Sequence, residues 1–256
     1  MFNTIFYKYP KSTEVNRVLP KNKLYDQGKV NSAIRELFVT QVEKITWANK
    51  LSPQTLNIEA HEQIKEIQIF KVVLKGEELS EEVLLTIDKA IQHPIIFEVT
   101  SHSQHMRATA CFKMIGASGS VTLSEYYSSS WQKRIGNSNS ESTSTDKRQN
   151  LPLTLNIKAL YEQLLASLLP YPLREHETFP ELIKRIDVIK VLNKQQQQIT
   201  KKLSNEKQFK NKVKINAELK KIKQELIAKT ESEQIKIEGE KMKTLVTLEE
   251  EEQELK

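Results

Sequence analysis

Two carboxylates and a lysine in the middle of the chain could support metal-dependent cleavage of a phosphodiester. Asp88 precedes the sequence FEVT at residues 97–100, which contains Glu98, and Lys113 follows. A restriction-type nuclease core places one acidic residue ahead of a strand bearing acidic-x-Lys, so that two carboxylates hold a divalent metal and the lysine assists the attacking water. No lysine stands two residues after Glu98, and Lys113 could act only from a neighbouring strand. We therefore expect polar residues on a solvated sheet face, with a variant nuclease site as the alternative.

Other residue types that carry chemistry are sparse. His102 and His105 are separated by two residues, a spacing that lets both face a metal, but no third ligand is evident and a polar turn is the preferred interpretation. Cys111 has no base beside it in the sequence, which favours a buried structural thiol over a nucleophile. The motifs GxxxxGK[ST], GxGxxG, GxSxG, HExxH and paired CxxC do not occur. We predict no metal and no cofactor.

The charge of the chain is concentrated near its C-terminus. The segment Leu182–Lys229 contains 14 Lys and Arg residues against 4 Asp and Glu residues, and the 27 residues after it contain 4 basic and 9 acidic residues. Lysines can follow a phosphate backbone without reading bases, although charge runs more often serve solubility. The lysines concerned are Lys207, Lys210, Lys212, Lys214, Lys220, Lys221 and Lys223, preceded by Lys201 and Lys202. Direct contact with DNA is one expectation for this segment.

The same segment carries an apolar stripe at alternating four- and three-residue spacing. This spacing is typical of a coiled coil, although it extends over fewer than three heptads. The sequence leaves open whether one helix or two helices form, because a break is indicated near residues 204–205. We expect the stripe to bind a partner protein through Phe209, Val213, Ile215, Leu219, Ile222 and Leu226.

The strands and helices that carry these residues are predicted to form a sheet with flanking helices. Strands are predicted from alternating or continuous apolar residues, and helices from caps and helical spacing. A turn over Ser101–His105 joins two antiparallel strands, and Ser12 or Thr13 is predicted to cap a short helix before Pro20. Strands are predicted at 42–47, 67–74, 95–100, 106–114 and 121–127, helices after Val30, Ser80 and Asn156, and an irregular connection at residues 51–58. The predicted fold class is α+β: a mixed α/β sheet domain with flanking helices plus a long C-terminal helical or coiled-coil arm.

The predicted domains are residues 1–180, the mixed α/β domain, and residues 181–256, the basic helical arm with an acidic tail. Residues 136–150 contain no hydrophobic side chain and are predicted to form a mobile loop. A single cysteine favours a reducing compartment. No apolar run approaches the roughly 20 residues that span a bilayer. We therefore expect a cytoplasmic protein without a membrane partner.

Four segments carry a family resemblance. They read FYKYPKSTEVNRVLPK (6–21), ITWANKLSPQTLNI (45–58), IDKAIQHPIIFEV (87–99) and NEKQFKNKVKINAELKKIKQEL (205–226). With them the chain resembles, over roughly residues 1–229, a bacterial and archaeal family classed as a domain of unknown function. Members of that family are encoded beside helicases and DNA methyltransferases in restriction-like and other phage-defence clusters. The resemblance carries over no catalytic residues.

The resemblance implies a non-catalytic accessory subunit of an anti-phage defence complex. Its partner would be a helicase and/or a DNA methyltransferase, and the basic arm would bridge to that partner or to DNA. Two alternatives come from the residues themselves. One alternative is a metal-dependent nuclease subunit that uses Asp88 and Glu98. The other is a stand-alone nucleic-acid-binding protein.

Overall fold

A computed structural model describes most of the chain and divides it into two units, Met1–Leu169 and Pro170–Lys256. The sequence alone places this boundary at residue 180. The described residues are 6–28, 30–116, 120–133 and 148–231. Most of the predicted mobile loop and the acidic tail beyond Glu231 therefore lie outside the described residues.

The first unit contains short and long strands with intervening helices, and it confirms the predicted α+β class. Its strands are β1 (Tyr7–Lys8), β2 (Glu14–Val18), β3 (Val42–Leu51), β4 (Ile67–Leu74), β5 (Ile95–Thr100), β6 (His105–Ile115), β7 (Val121–Ser128), β8 (Gln132–Lys133) and β9 (Gln149–Asn150). Its helices are α1 (Lys21–Gly28), α2 (Ser32–Gln41), α3 (Pro53–Leu56), α4 (Glu81–Ala90) and α5 (Ile157–Ala166).

The main sheet has seven strands in the order β2-β3-β4-β5-β6-β7, with β8 paired to β6. Neighbours in this sheet are antiparallel except β4 and β5, which run parallel and are connected through α4. A parallel pair needs such a crossover, whereas β5 and β6 are joined by the short turn predicted at Ser101–His105. The small strands β1 and β9 form a separate parallel pair.

One buried apolar cluster of this unit lies where α2 and α4 cover one face of the sheet. Phe97 and Val99 of β5 belong to the same buried cluster as Leu84 and Ile87 of α4. Helix α4 begins after Ser80, whose side chain accepts a hydrogen bond from the backbone of Glu82. Side chains alternate between the two faces of a strand, so every second residue of β5 points away from this core.

Helix α5 is tied to β6 at a register shift between Cys111 and Lys113. The Tyr161 hydroxyl accepts a hydrogen bond from the backbone N–H of Lys113 at 2.8 Å and donates one to the carbonyl of Cys111 at 3.0 Å. These bonds satisfy backbone groups that the irregular ladder leaves unpaired. Asn156 caps α5, as its sequence position predicted.

Two local predictions were wrong: the helix before Pro20 and the irregular connection after Leu51. Only one short 3-10 turn forms at Lys11–Thr13, and the chain then enters β2, a polar edge strand that pairs with β3. The segment after Leu51, predicted to be irregular, begins with helix α3, which Ser52 caps. Residues 148–150 of the predicted mobile loop are held in place, because β9 pairs with β1 and the side chain of Arg148 binds a buried carboxylate.

The second unit is built on two helices, α6 (Phe179–Asn205) and α7 (Phe209–Thr230), with residues 206–208 between them. So short a connection makes them an antiparallel hairpin, which answers the question of one helix or two. The N-terminus of α6 is capped by Glu181, whose carboxylate accepts hydrogen bonds from the backbone N–H and the hydroxyl of Thr178. The helices are held together by a cluster of Ile189, Leu192 and Leu226, against which Tyr171 and Ile222 pack.

At its base the second unit contains a nearly buried ion pair. The Arg185 guanidinium donates from Nε and Nη2 to the two oxygens of Glu177, at 2.7 and 2.8 Å. Nη2 also donates to the carbonyl of Pro172 at 2.7 Å, which ties the segment before α6 to the helix. No helix among the described residues has the length and apolar character needed to cross a membrane.

Candidate functional site

Lys113 and Asp88, two of the three nuclease candidates, meet beneath the C-terminal end of α4. The ammonium of Lys113 lies 2.9 Å from Oδ1 of Asp88, and neither side chain reaches solvent. The same ammonium donates to the carbonyls of Asp88, Ile91 and His93 at 2.9, 2.8 and 3.0 Å. The last carbonyls of a helix have no partner within it and carry partial negative charge. Lys113 therefore caps α4 as a buried cation.

The second oxygen of Asp88 is also engaged. Tyr126 donates to Oδ2 at 2.6 Å, and the thiol of Cys111 donates to it at 3.6 Å. Burial raises the pKa of Asp88, and Lys113 and Tyr126 oppose that rise. Burial also raises the pKa of the Cys111 thiol, with the Asp88 carboxylate adding to the effect. A thiol kept protonated is a poor nucleophile, so this cluster has the character of a structural network.

Glu98, the third candidate, is held by a cation that sequence reasoning missed. Nη1 and Nη2 of Arg148 donate to its two carboxylate oxygens at 2.7 and 2.9 Å, and Nη1 also donates to the carbonyl of Tyr7 at 3.0 Å. Glu98 is 1% exposed and the Arg148 side chain is 19% exposed. The side chain of Tyr9 also hydrogen-bonds to Glu98. Burial is the main cause that raises the pKa of Tyr9, so its hydroxyl stays protonated and donates to the carboxylate.

The structure does not bring Asp88 and Glu98 together. Phe97 and Val99 face the core shared with α4, so Glu98 between them points to the opposite face of the sheet. Each carboxylate is already paired with its own cation, which leaves neither poised to share a divalent metal. Across the ranges that the structure describes, no three His, Cys, Asp or Glu side chains form a possible metal site.

A different lysine lies beside Glu98. Lys71 of β4 is the register partner of Glu98 in the parallel β4–β5 pair, and it is exposed. The sequence offered no signal for this neighbour, because 27 residues separate the two positions. His102 and His105, the possible metal pair, occupy the β5–β6 turn and the start of β6, and Nδ1 of His105 lies 2.8 Å from the hydroxyl of Ser103.

The predicted nucleic-acid-binding lysines lie along the hairpin tip and α7. Lys212 is half-buried, and the remaining six are exposed: Lys207, Lys210, Lys214, Lys220, Lys221 and Lys223. Lys210, Lys214 and Lys221, which we call the basic row, follow a spacing of four and seven residues and so share one side of the helix. They extend over about 16 Å at the helical rise of about 1.5 Å per residue.

The predicted partner-binding stripe is divided between buried and exposed residues. Ile215, Leu219 and Leu226 are buried at 7–8% exposure, and Ile222 packs against the core of the hairpin. Ile222 and Leu226 thus pack against α6 of the same chain, and the binding of a partner protein by the stripe stays a prediction. Phe209 and Val213 at the start of α7 remain exposed, at 81% and 52%.

Comparison with known proteins gives one family match. Residues 8–226 match the family described as "Domain of unknown function (DUF4391)". No curated protein and no solved structure matches the chain significantly.

Proposed function

Because this chain belongs to the DUF4391 family, whose description assigns no function, we propose a function from its residues and from the resemblance of its four sequence segments. The protein is a non-catalytic accessory subunit that binds DNA backbones through its helical hairpin. It works in a bacterial anti-phage defence complex of the restriction-like type, beside a helicase and/or a DNA methyltransferase. The partner assignment rests on the family resemblance described for its four sequence segments. The DNA assignment rests on the chemistry of α7.

The observation that carries the proposal is the set of unpaired lysines on α7. Within the described part of the chain, no ion pair involves Lys210, Lys214 or Lys221 of the basic row. Only two acidic residues, Glu218 and Glu225, lie within α7 itself. An exposed ammonium without a protein partner is free to replace a counterion at a phosphate, which is the main source of non-specific affinity for DNA.

The state of the buried carboxylates supports a non-catalytic role. A metal-dependent nuclease needs carboxylates that are open to a divalent ion and water. Asp88 is bound by Lys113 and Tyr126, and Glu98 is bound in bidentate fashion by Arg148. Both carboxylates thus serve the stability of the sheet unit, while the lysines of the basic row stay exposed and unpaired on the hairpin.

Docking on a protein partner is assigned to the exposed part of the apolar stripe. Phe209 and Val213 stand one helical turn apart and both are mostly exposed. Aromatic residues surrounded by polar ones are frequent anchors of protein interfaces. Phe209→Ser with Val213→Ser should therefore abolish co-purification with the proposed helicase or methyltransferase partner. Retention of the partner at wild-type level would show that docking lies elsewhere.

The DNA assignment is tested by charge reversal with a matched control. One variant carries Lys210→Glu, Lys214→Glu and Lys221→Glu. The control carries Lys44→Glu, Lys65→Glu and Lys89→Glu, three exposed lysines of the first unit, and so has the same net charge. Fluorescence anisotropy with a short duplex at low salt should show binding by wild type and control, and none by the hairpin variant. Equal loss in both variants, or no binding by the wild type, would contradict the proposal.

A further inference from the structure

A polar cleft of about 300 Å³ opens beside the Glu98–Arg148 pair in the first unit. Three cations line it: Lys8 of β1, Lys71 of β4 and Arg148 just before β9. Lys71 reaches the cleft because it shares the register position of Glu98 on the neighbouring strand. The cleft is thus built by elements that are far apart in sequence and meet only in the folded unit.

The charges around the cleft are unequal. Arg148 is matched by Glu98, its bidentate partner. Lys8 and Lys71 are both exposed, and neither takes part in an ion pair with another described residue. Among the described residues that line the cleft, Glu14 alone is acidic. The cleft therefore keeps one positive charge in excess, and an anion is favoured over a cation.

Neutral groups in the lining add directional hydrogen bonds. The uncharged polar residues of the lining are Tyr7, Tyr9, Asn16 and Asn49, of which Tyr9 already bonds to Glu98 through its hydroxyl. Asn49 is held in place by its bond to the hydroxyl of Thr13 at 2.9 Å. Asn16 adopts φ of 49°, a left-handed conformation that asparagine tolerates better than most residues, and this shapes the rim of the cleft. Ammonium and amide donors around a small space suit a tetrahedral oxyanion with several acceptor oxygens.

We propose that this cleft is a phosphate-binding site that takes a phosphoryl group carried by a nucleic acid or presented as free phosphate. Lys71 and Lys8 supply the charge, and the amides of Asn16 and Asn49 orient the oxygens. A divalent metal is the poorer occupant, because Glu98 would first have to give up both hydrogen bonds from Arg148. The site lies in the first unit and does not depend on the basic row of α7.

Titration calorimetry on the full chain tests this site with three probes: thymidine 3′,5′-bisphosphate, inorganic phosphate and unphosphorylated thymidine. We expect binding of at least one phosphate-bearing probe and none of thymidine. Tighter binding of the bisphosphate assigns the site to nucleic acid, and tighter binding of inorganic phosphate assigns it to the free ion. No binding of either phosphate-bearing probe would overturn the proposal.

Variants locate the site. Lys71→Ala should weaken binding about tenfold or more, because the variant loses a charged donor to the phosphate oxygens. Lys71→Arg keeps the charge and should bind within about threefold of wild type. Lys65→Ala, an exposed lysine outside the cleft lining, should leave affinity unchanged. Wild-type affinity in a folded Lys71→Ala protein would contradict the assignment.

The hairpin variant separates this site from the proposed DNA surface. The protein with Lys210, Lys214 and Lys221 changed to Glu should lose duplex binding and keep wild-type affinity for the phosphate-bearing probe. Loss of probe binding in that variant would place the probe on α7 and refute a site in the cleft.

Discussion

The buried carboxylates of the sheet unit and the exposed lysines of the basic row are arranged in opposite ways. In the sheet unit, the buried carboxylates Asp88 and Glu98 each have a dedicated cation, at 2.9 and 2.7 Å. On α7 the lysines of the basic row have no acidic partner within the described residues. Removing a paired charge from one region and an unpaired charge from the other should therefore have different consequences.

This difference separates residues that hold the fold from residues that are free to bind. A buried charge that loses its partner leaves the other charge desolvated, at a cost of about 3–5 kcal/mol. An exposed charge on a helix contributes about 0–1 kcal/mol to stability and remains available to an outside ligand. The nuclease candidates belong to the first kind and the basic row belongs to the second.

The largest effect is expected at Lys113. Lys113→Met should lower the free energy of unfolding by about 3–5 kcal/mol, because Asp88 and three backbone carbonyls at the end of α4 lose their shared cation. Lys89→Met, at an exposed position of the same helix, is the control and should change stability by less than about 0.5 kcal/mol. Urea unfolding monitored by circular dichroism measures both. Similar stabilities for the two variants would remove the structural role given to Lys113.

A smaller loss is expected at Arg148. Arg148→Met should cost about 2–3 kcal/mol, below the range for a fully buried pair, because the Arg148 side chain is 19% exposed and water can reach the carboxylate. Adding Glu98→Gln should recover part of the loss, since the neutral amide needs no cation. The control is Arg17→Met, at an exposed position of β2. A double variant less stable than the single one would contradict the pairing.

The Arg185–Glu177 pair predicts a pH dependence of the second unit. Hydrogen bonds from Arg185 are the main cause that lowers the pKa of Glu177 below its ordinary value of 4.5. Because the pKa of Glu177 is lower in the folded state, the ion pair contributes its full stability at pH values above the ordinary pKa. That contribution is lost as the pH falls through the lower, folded-state pKa. We expect about 1–2 kcal/mol at neutral pH. The difference in unfolding free energy between wild type and Glu177→Gln should therefore shrink below about pH 4.5, and a constant difference would refute the linkage.

Much of the sheet unit could be predicted because its strands are strongly apolar. The strands Ile67–Leu74 and Ile95–Thr100 and the cap at Ser80 follow from local residue patterns alone. Strand β2 reads Glu-Val-Asn-Arg-Val, and only its pairing with β3 makes it a strand. Local propensity is overridden at such an edge, where the neighbouring strand supplies the hydrogen bonds.

The candidate sites were harder to predict because they depend on pairs of residues that are distant in sequence. Arg148 lies at the end of a polar segment that resembles a loop, and its bond to Glu98 spans 50 residues. Lys71 and Glu98 become neighbours only through the parallel pairing of β4 and β5. An apolar stripe shows that something covers it, but not that Ile222 and Leu226 would pack on the preceding helix of the same chain.

The salt dependence of DNA binding tests the central claim that unpaired lysines of α7 bind phosphates. The neutral variant Lys210→Gln, Lys214→Gln, Lys221→Gln should keep its unfolding free energy within about 0.5 kcal/mol of wild type. Its plot of log K against log salt concentration should be shallower by about 2.7, since each phosphate that a lysine neutralises adds about 0.9 to the steepness of that plot. The matched variant Lys44→Gln, Lys65→Gln, Lys89→Gln should keep the wild-type slope. A hairpin variant with the wild-type slope would contradict the account.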